Sequence, residues 1–207
     1  MSNRFFEIAF TPKVQHEQEL HGSRNQYQRM TDKPFTNSLG PDEQYFISLR
    51  DSFMATVTET DWPYIQHRGG DPGFVHVLSP TTLAFADLRG NKQYISAGNL
   101  AANDRVALFF MDYPSQSRLK LFGHMEVIDN DPALLAQLKP ADPTSVVERI
   151  FLIHVEGFDW NCPQHITPRY TVAEIETQVA PLRRRLSALE EENAALRAAA
   201  SRDTLSS

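Results

Sequence analysis

Between residues 53 and 158 the chain is a succession of short apolar segments cut by turn residues, and this spacing constrains the fold more than any other feature. Residues 53–58, 64–67, 74–78, 82–86, 105–111, 119–128 and 151–158 are rich in β-branched and aromatic side chains. Turn formers separate them, among them Ser79-Pro80 and the loop Gly69-Gly70-Asp71-Pro72-Gly73. Segments this short cannot make a helical bundle. They predict an α+β fold, mainly β, in which the strands form a small β-barrel with small flanking helices. Two such helices are expected: residues 42–50, with Tyr45, Phe46 and Leu49 on one face, and residues 92–102, with Tyr94, Ile95 and Leu100 at helical spacing.

The ends of the chain read differently. Residues 1–41 are polar, poor in apolar side chains over 14–34 and broken at Pro34, which predicts an irregular N-terminal arm. The barrel domain then covers 42–170. Thr171 followed by Glu174 has the S/T-x-x-E form that opens a helix. Beyond it Ile175, Val179, Leu182, Leu186, Leu189, Asn193 and Leu196 recur at alternating steps of four and three. This heptad pattern predicts a C-terminal coiled-coil helix over 171–200, with a polar tail at 201–207. Ile175, Leu182, Leu189 and Leu196 take d, while Val179, Leu186 and Asn193 take a. A lone Asn at a predicts a parallel dimer.

Composition removes several functions. The net charge of −6 over 207 residues argues against nucleic-acid binding, and Arg183-Arg184-Arg185 is too short a basic run to change that. One cysteine, Cys162, excludes a disulfide framework and a multi-cysteine metal cage. His76, His124 and His154 fall in expected strands without metal-ligand spacing, so no metal is expected. No apolar run reaches the ~18 residues of a membrane span, and residues 1–10 lack the apolar stretch of a signal peptide. The expectation is a soluble cytoplasmic protein.

Three cationic sites flank the expected strand ends. In Gln66-His67-Arg68-Gly69-Gly70 a strand runs into a glycine loop, where Arg68 can fork onto a phosphate. In Arg89-Gly90-Asn91-Lys92-Gln93 a turn leads into a helix, whose first N–H groups favour an anion beside Lys92. In Arg118-Leu119-Lys120-Leu121 period-two alternation sends the two cations to one face and the leucines to the other. Spacing alone does not name a ligand.

The motifs P-Y-I-Q-H-R-G-G, L-A-F-A-D-L-R-G-N-K-Q-Y-I-S and S-R-L-K-L-F-G, with W-N-C-P-Q-H at 160–165, resemble those of the pyridoxamine 5′-phosphate oxidase-like family. The resemblance implies a split barrel that binds FMN and works as a homodimer, with flavin sites at the subunit interface. Carried over by position, Gln66, His67 and Arg68 would line the flavin and its phosphate. Phe85 and Ala86 would give backbone contacts, and Asn91 and Lys92 would meet the phosphate. Arg118 falls where the family often has a glutamine near the flavin, and Trp160 matches a tryptophan that reaches the other subunit's flavin. The implied function is flavin-mediated hydride or electron transfer on a small substrate. The sequence identifies no catalytic side chain beyond His165 as a candidate proton donor. A non-enzymatic flavin- or haem-binding dimer is the alternative, and a dimer with an empty ancestral site is a third reading. Two departures argue against oxidation of pyridoxamine 5′-phosphate itself. Pro63 stands where the oxidase has arginine, and W-N-C-P-Q-H-I-T-P-R, ending at Arg169, replaces its R-x-H motif.

Overall fold

The computed structural model describes residues 2–31, 35–138, 140, 142, 144–160 and 162–205. The chain parts into two compact units, residues 1–166 and 167–207. In chain order the first holds β1 (Ser2–Asn3), α1 (Arg4–Ala9), α2 (Pro12–Leu20), α3 (Arg24–Thr31), β2 (Phe35–Thr36) and α4 (Pro41–Leu49). There follow β3 (Ser52–Val57), β4 (Pro63–Arg68), β5 (His76–Ser79), β6 (Thr82–Leu88), α5 (Ile95–Ala102), β7 (Arg105–Asp112), β8 (Ser117–Ile128), α6 (Pro132–Gln137) and β9 (Val147–Trp160). Strands β3 to β9 form one seven-stranded antiparallel sheet in the order β4-β3-β7-β8-β9-β6-β5. Among the described residues no helix is long and apolar enough to cross a membrane.

Period-two alternation builds the core. In β3, Ser52, Met54 and Thr56 are buried while Phe53, Ala55 and Val57 are half-buried; β7 buries Val106, Leu108 and Phe110. From β8, Leu119 and Leu121 turn inward and Arg118 and Lys120 turn outward, as their spacing requires. These side chains meet Leu83 and Phe85 of β6 and Phe151 and Ile153 of β9 in one cluster. The other face of β6 and β9 buries Ala84 and Ile150 under α6, whose Leu134 and Leu135 pack there with Leu138. Asp131 starts α6 by accepting the Leu134 N–H at 2.9 Å, with Pro132 at the first helical position.

The N-terminal segment differs from its reading as an irregular arm. It contains three helices and a parallel pairing of β1 with β2. Its aromatic residues are clustered: Phe5 stacks on Phe122 with ring centres 4.5 Å apart, and Phe6 stacks on Phe10 at 4.9 Å. Low average hydrophobicity concealed this concentrated patch. The expected break at Pro34 lies outside the described residues. Two further boundaries move. The helix expected from residue 92 starts at Ile95, because Lys92 and Tyr94 have φ of 60° and 53°, which a right-handed helix cannot contain. The strand expected from residue 74 starts at His76.

A bulge fixes α1 to the sheet. The register between β8 and β9 shifts at Phe122/Gly123, so Glu156 has no partner in the ladder. Its carboxylate instead holds Arg4 Nε at 2.7 Å. Beside it, Gly157 leaves room for the backbone of α1: a Cβ there would strike the Phe5 nitrogen.

The second unit is α7 (Val172–Leu205), a 34-residue helix. Thr171 Oγ1 accepts the Glu174 N–H at 3.2 Å, and Glu174 Oε2 accepts the Thr171 N–H at 2.8 Å, which completes the expected capping box. The tail expected at 201–207 continues the helix as far as Leu205, helped by the strong helix formers Ala198, Ala199 and Ala200. Ser206 and Ser207 lie outside the described residues.

Substituting Gly157→Ala is expected to destabilise the first unit by about 1–3 kcal/mol, since backbone must move to admit the methyl group. Limited proteolysis checks the mechanism: cleavage before residue 40 should become faster, while the sheet stays resistant.

Candidate functional site

Arg68 reaches between strands that are not neighbours in the sheet. Its Nη1 lies 3.1 Å from Asp87 Oδ1, although β4 is the first strand in the order and β6 the sixth. The sheet therefore curls far enough to bring its two ends within side-chain reach. Asp87 also holds Arg149 Nε at 3.3 Å from its cross-strand neighbour position. Beneath the pair lie two phenyl rings, with the Arg68 guanidinium carbon 5.2 Å from the centre of Phe151 and 6.0 Å from that of Phe85.

Burial governs both ionisations. It lowers the Arg68 pKa despite Asp87, and it raises that of Asp87 despite Arg68 and Arg149, with Glu148 adding to the rise. Arg68 Nε is buried and has no hydrogen-bond partner among the described residues.

Around this pair is a small cleft of about 70 Å³. Alternation along β4 sends Tyr64, Gln66 and Arg68 into it. The turn after β6 contributes Asn91 and Lys92, and α5 contributes its first residues, Ile95, Ser96 and Ala97. The N–H groups of these three have no acceptor within the helix, and Tyr94 gives them no side-chain cap. Local bonds hold the walls together. Ser96 Oγ donates to Gln66 Oε1 at 3.1 Å, and the buried Asn99 Nδ2 donates to Thr56 Oγ1 at 2.9 Å, fastening α5 to β3. Asn91 Oδ1 accepts the Gln93 N–H at 3.2 Å. Tyr94 lies against the Arg149 guanidinium at 4.9 Å and donates to Glu148 Oε1 at 3.2 Å; Arg89 Nε meets the same oxygen at 3.0 Å.

Four cations, Arg68, Arg89, Lys92 and Arg149, thus face two carboxylates, Asp87 and Glu148. The network as a whole keeps two positive charges over, although Arg89 and Arg149 do not line the cleft; its lining sets Arg68 and Lys92 against Asp87 and Glu148, beside the helix N–H donors. Such an arrangement suits a phosphate dianion.

The other residues singled out in the sequence lie elsewhere in the unit. His67 is on the opposite face of β4, 3.5 Å from Asp51 and edge-on to Phe53. Phe85 is buried beneath the cleft and Ala86 borders a separate cavity under the Gly69–Gly70 loop. Arg118 sits over the Phe109 ring on the outer face. Trp160 Nε1 donates to Glu43 Oε1 at 2.6 Å, its ring set against Phe46. His165 is exposed in a loop with φ 65°. His124 and His154 pair with Asp104 and Glu126, and among the described residues no cluster of metal-ligating side chains occurs. The sequence reading missed Asp87, Glu148 and Arg149. Asp87 stood inside a quoted motif, but Glu148 and Arg149 lie about sixty residues further on, and only the β6–β9 pairing brings them in.

A protein-family model described as pyridoxamine 5′-phosphate oxidase matches residues 43–156. No curated protein matches. Among solved structures, a candidate pyridoxamine 5′-phosphate oxidase of Lactobacillus delbrueckii is 22% identical, with TM-score 0.48, over 60% of this chain and 95% of that one. HupZ of Group A Streptococcus is 16% identical, with TM-score 0.48, over 64% and 99% of the two chains. A Clostridium acetobutylicum protein related to general stress protein 26 of B. subtilis is 15% identical, with TM-score 0.41, over 60% and 87%.

The Glu148 carboxyl is held below its ordinary value, chiefly by the hydrogen bond from Arg89, against the opposing effect of burial and with help from Tyr94. A depressed carboxyl stabilises the fold above its unfolded pKa, and that contribution disappears as pH falls through the folded value. Glu148→Gln should therefore melt at a lower temperature than wild type at pH 7, and the gap should close as pH drops below 4.5. Melting curves across this range give the check.

Proposed function

Because the chain belongs to the pyridoxamine 5′-phosphate oxidase family by the match over residues 43–156, we propose that it binds FMN through this cleft and acts as an oxidoreductase on a small substrate. The carrying observation is the convergence of Arg68, Asn91, Lys92 and the uncapped start of α5 on one cleft. In this reading the cleft is the phosphate end of the site. The buried, unpartnered Arg68 Nε is in keeping with a wall that expects a further acceptor.

When bound, the flavin supplies hydride or electron transfer; the protein supplies binding and orientation. Lys92 and the N–H groups of Ile95, Ser96 and Ala97 hold the phosphate, while Asp87 keeps the Arg68 fork in place. Gln66, oriented by Ser96, borders the cleft where the cofactor leaves it. The remaining positions implied by the family, His67, Arg118 and Trp160, lie outside this cleft and belong in this reading to the ring-binding part of the site, completed by a second copy of the chain. Exposed apolar side chains beside β4, Trp62 at 73% and Ile65 at 65%, favour such a homodimer. No catalytic side chain is assigned in this scheme; His165 is the candidate donor where the substrate needs a proton.

Lys92→Ala should weaken FMN about tenfold or more and leave riboflavin binding unchanged, since one charge-assisted bond contributes about 1.5–3 kcal/mol. Arg68→Ala with Lys92→Ala should reach roughly a hundredfold by the same scale. Equal losses for FMN and riboflavin would remove the phosphate assignment. The absorbance of the purified protein separates flavin from haem, and bleaching by NADH or NADPH without air supports the enzyme.

Little or no oxidation of pyridoxamine 5′-phosphate is expected. Pro63 opens β4 where the oxidase carries arginine, and no R-x-H motif follows the sheet. Turnover of pyridoxamine 5′-phosphate should stay far below about 1 per second, at the low end of ordinary enzyme rates.

A further inference from the structure

We propose that α7 pairs with α7 of a second copy of this chain as a parallel two-stranded coiled coil, in register at Asn193. The inference stands independently of the cofactor. It begins from an unburied apolar seam: Leu182, Leu186, Leu189 and Leu196 are 69%, 58%, 43% and 63% exposed. A helix of this length in water draws most of its stability from burying one face, and these leucines bury little in the single chain.

The pattern of the seam selects the occupant. The large apolar side chains of residues 182–196, all leucine, hold only a and d positions, whereas a helix packed on a globular surface carries a wider stripe. The flanking e positions are Glu176, Arg183, Glu190 and Arg197, and the g positions are Gln178, Arg185 and Glu192. In a parallel, in-register pair each g residue faces the e residue five places on in the partner helix. Arg185 then faces Glu190 and Glu192 faces Arg197, both of opposite sign, and Gln178 faces Arg183 without repulsion. No like-charge pair arises. Glu176 and Arg183 are already joined along one helix at 2.8 Å, which keeps the first turns in order beside the dimer seam.

Orientation rests on Asn193. In a parallel pair its amide meets the same amide across the seam, and both groups are satisfied. In an antiparallel pair a positions meet d positions, so each Asn would lie against leucine with an unpartnered buried amide. Pro181 does not obstruct this. It falls at c on the outer face, and the helix continues through it to Leu205.

The test uses the full chain with Cys162→Ser, so that no native thiol competes. Leu196→Cys in this background places a thiol at d near the far end of the seam. Mild oxidation should join most chains as covalent dimers, whereas Arg184→Cys, at the outer f position, should stay largely unlinked. Both are exposed sites whose replacement leaves the first unit intact. An antiparallel pair would instead link Leu196→Cys, at d, to Val179→Cys, at a, in a mixture of the two single variants. That mixed product, equal linking at 184 and 196, a dimer that fails to link at 196, or a monomeric chain would each overturn the proposal. Asn193→Leu supplies a second readout: it should raise the melting temperature of the helix and allow the mixed 179–196 product to appear.

Discussion

The contact between Arg68 and Asp87 organises the first unit. It joins the first strand of the sheet order to the sixth, a connection that no backbone ladder makes. Two charges set over the Phe85 and Phe151 rings are costly to desolvate, and burial pushes both pKa values toward the neutral forms. The pair is tolerable because Arg149 adds a second cation to Asp87 and because the guanidinium lies over aromatic faces. The consequence is a curled sheet with a polar seam, and the candidate site occupies that seam.

Excess positive charge follows from the same arrangement. Asp87 is shared by two arginines, and Glu148 is shared by Arg89 and Tyr94, so the local carboxylates are already engaged. Lys92 then sits on a left-handed turn at the cleft with the uncapped start of α5 beside it. In the proposed reading an anion entering there would meet donors already positioned by neighbouring bonds, with little reordering to bind it.

Much of this was legible in the chain itself. Alternating burial along β3, β7 and β8 follows directly from the order of apolar and polar residues, because a strand turns its side chains to opposite faces at every step. The capping box at Thr171 and Glu174 was equally plain, since both partners are three residues apart. The N-terminal helices were not: four aromatic residues, Phe5, Phe6, Phe10 and Tyr27, are diluted by polar neighbours, and they act together only because they pack on one another while Phe5 stacks on Phe122, more than a hundred residues away. Gly157 is similar. Its lack of a side chain matters only because α1 passes over it.

For the site, sequence determined the donors. Gln66, Arg68, Asn91 and Lys92 all fall in motifs at strand ends, where backbone geometry leaves room for a ligand. What the tertiary structure decided is which of them act together. Period-two geometry sends Gln66 and Arg68 into the cleft and His67 to the opposite face, and strand order carries Arg118 and Trp160 away from it. Glu148 and Arg149 enter only through the pairing of β9 with β6. Local sequence specifies the chemistry and the direction of each side chain, but an ionic network is a property of distance, and distance between remote segments is set by how the sheet curls.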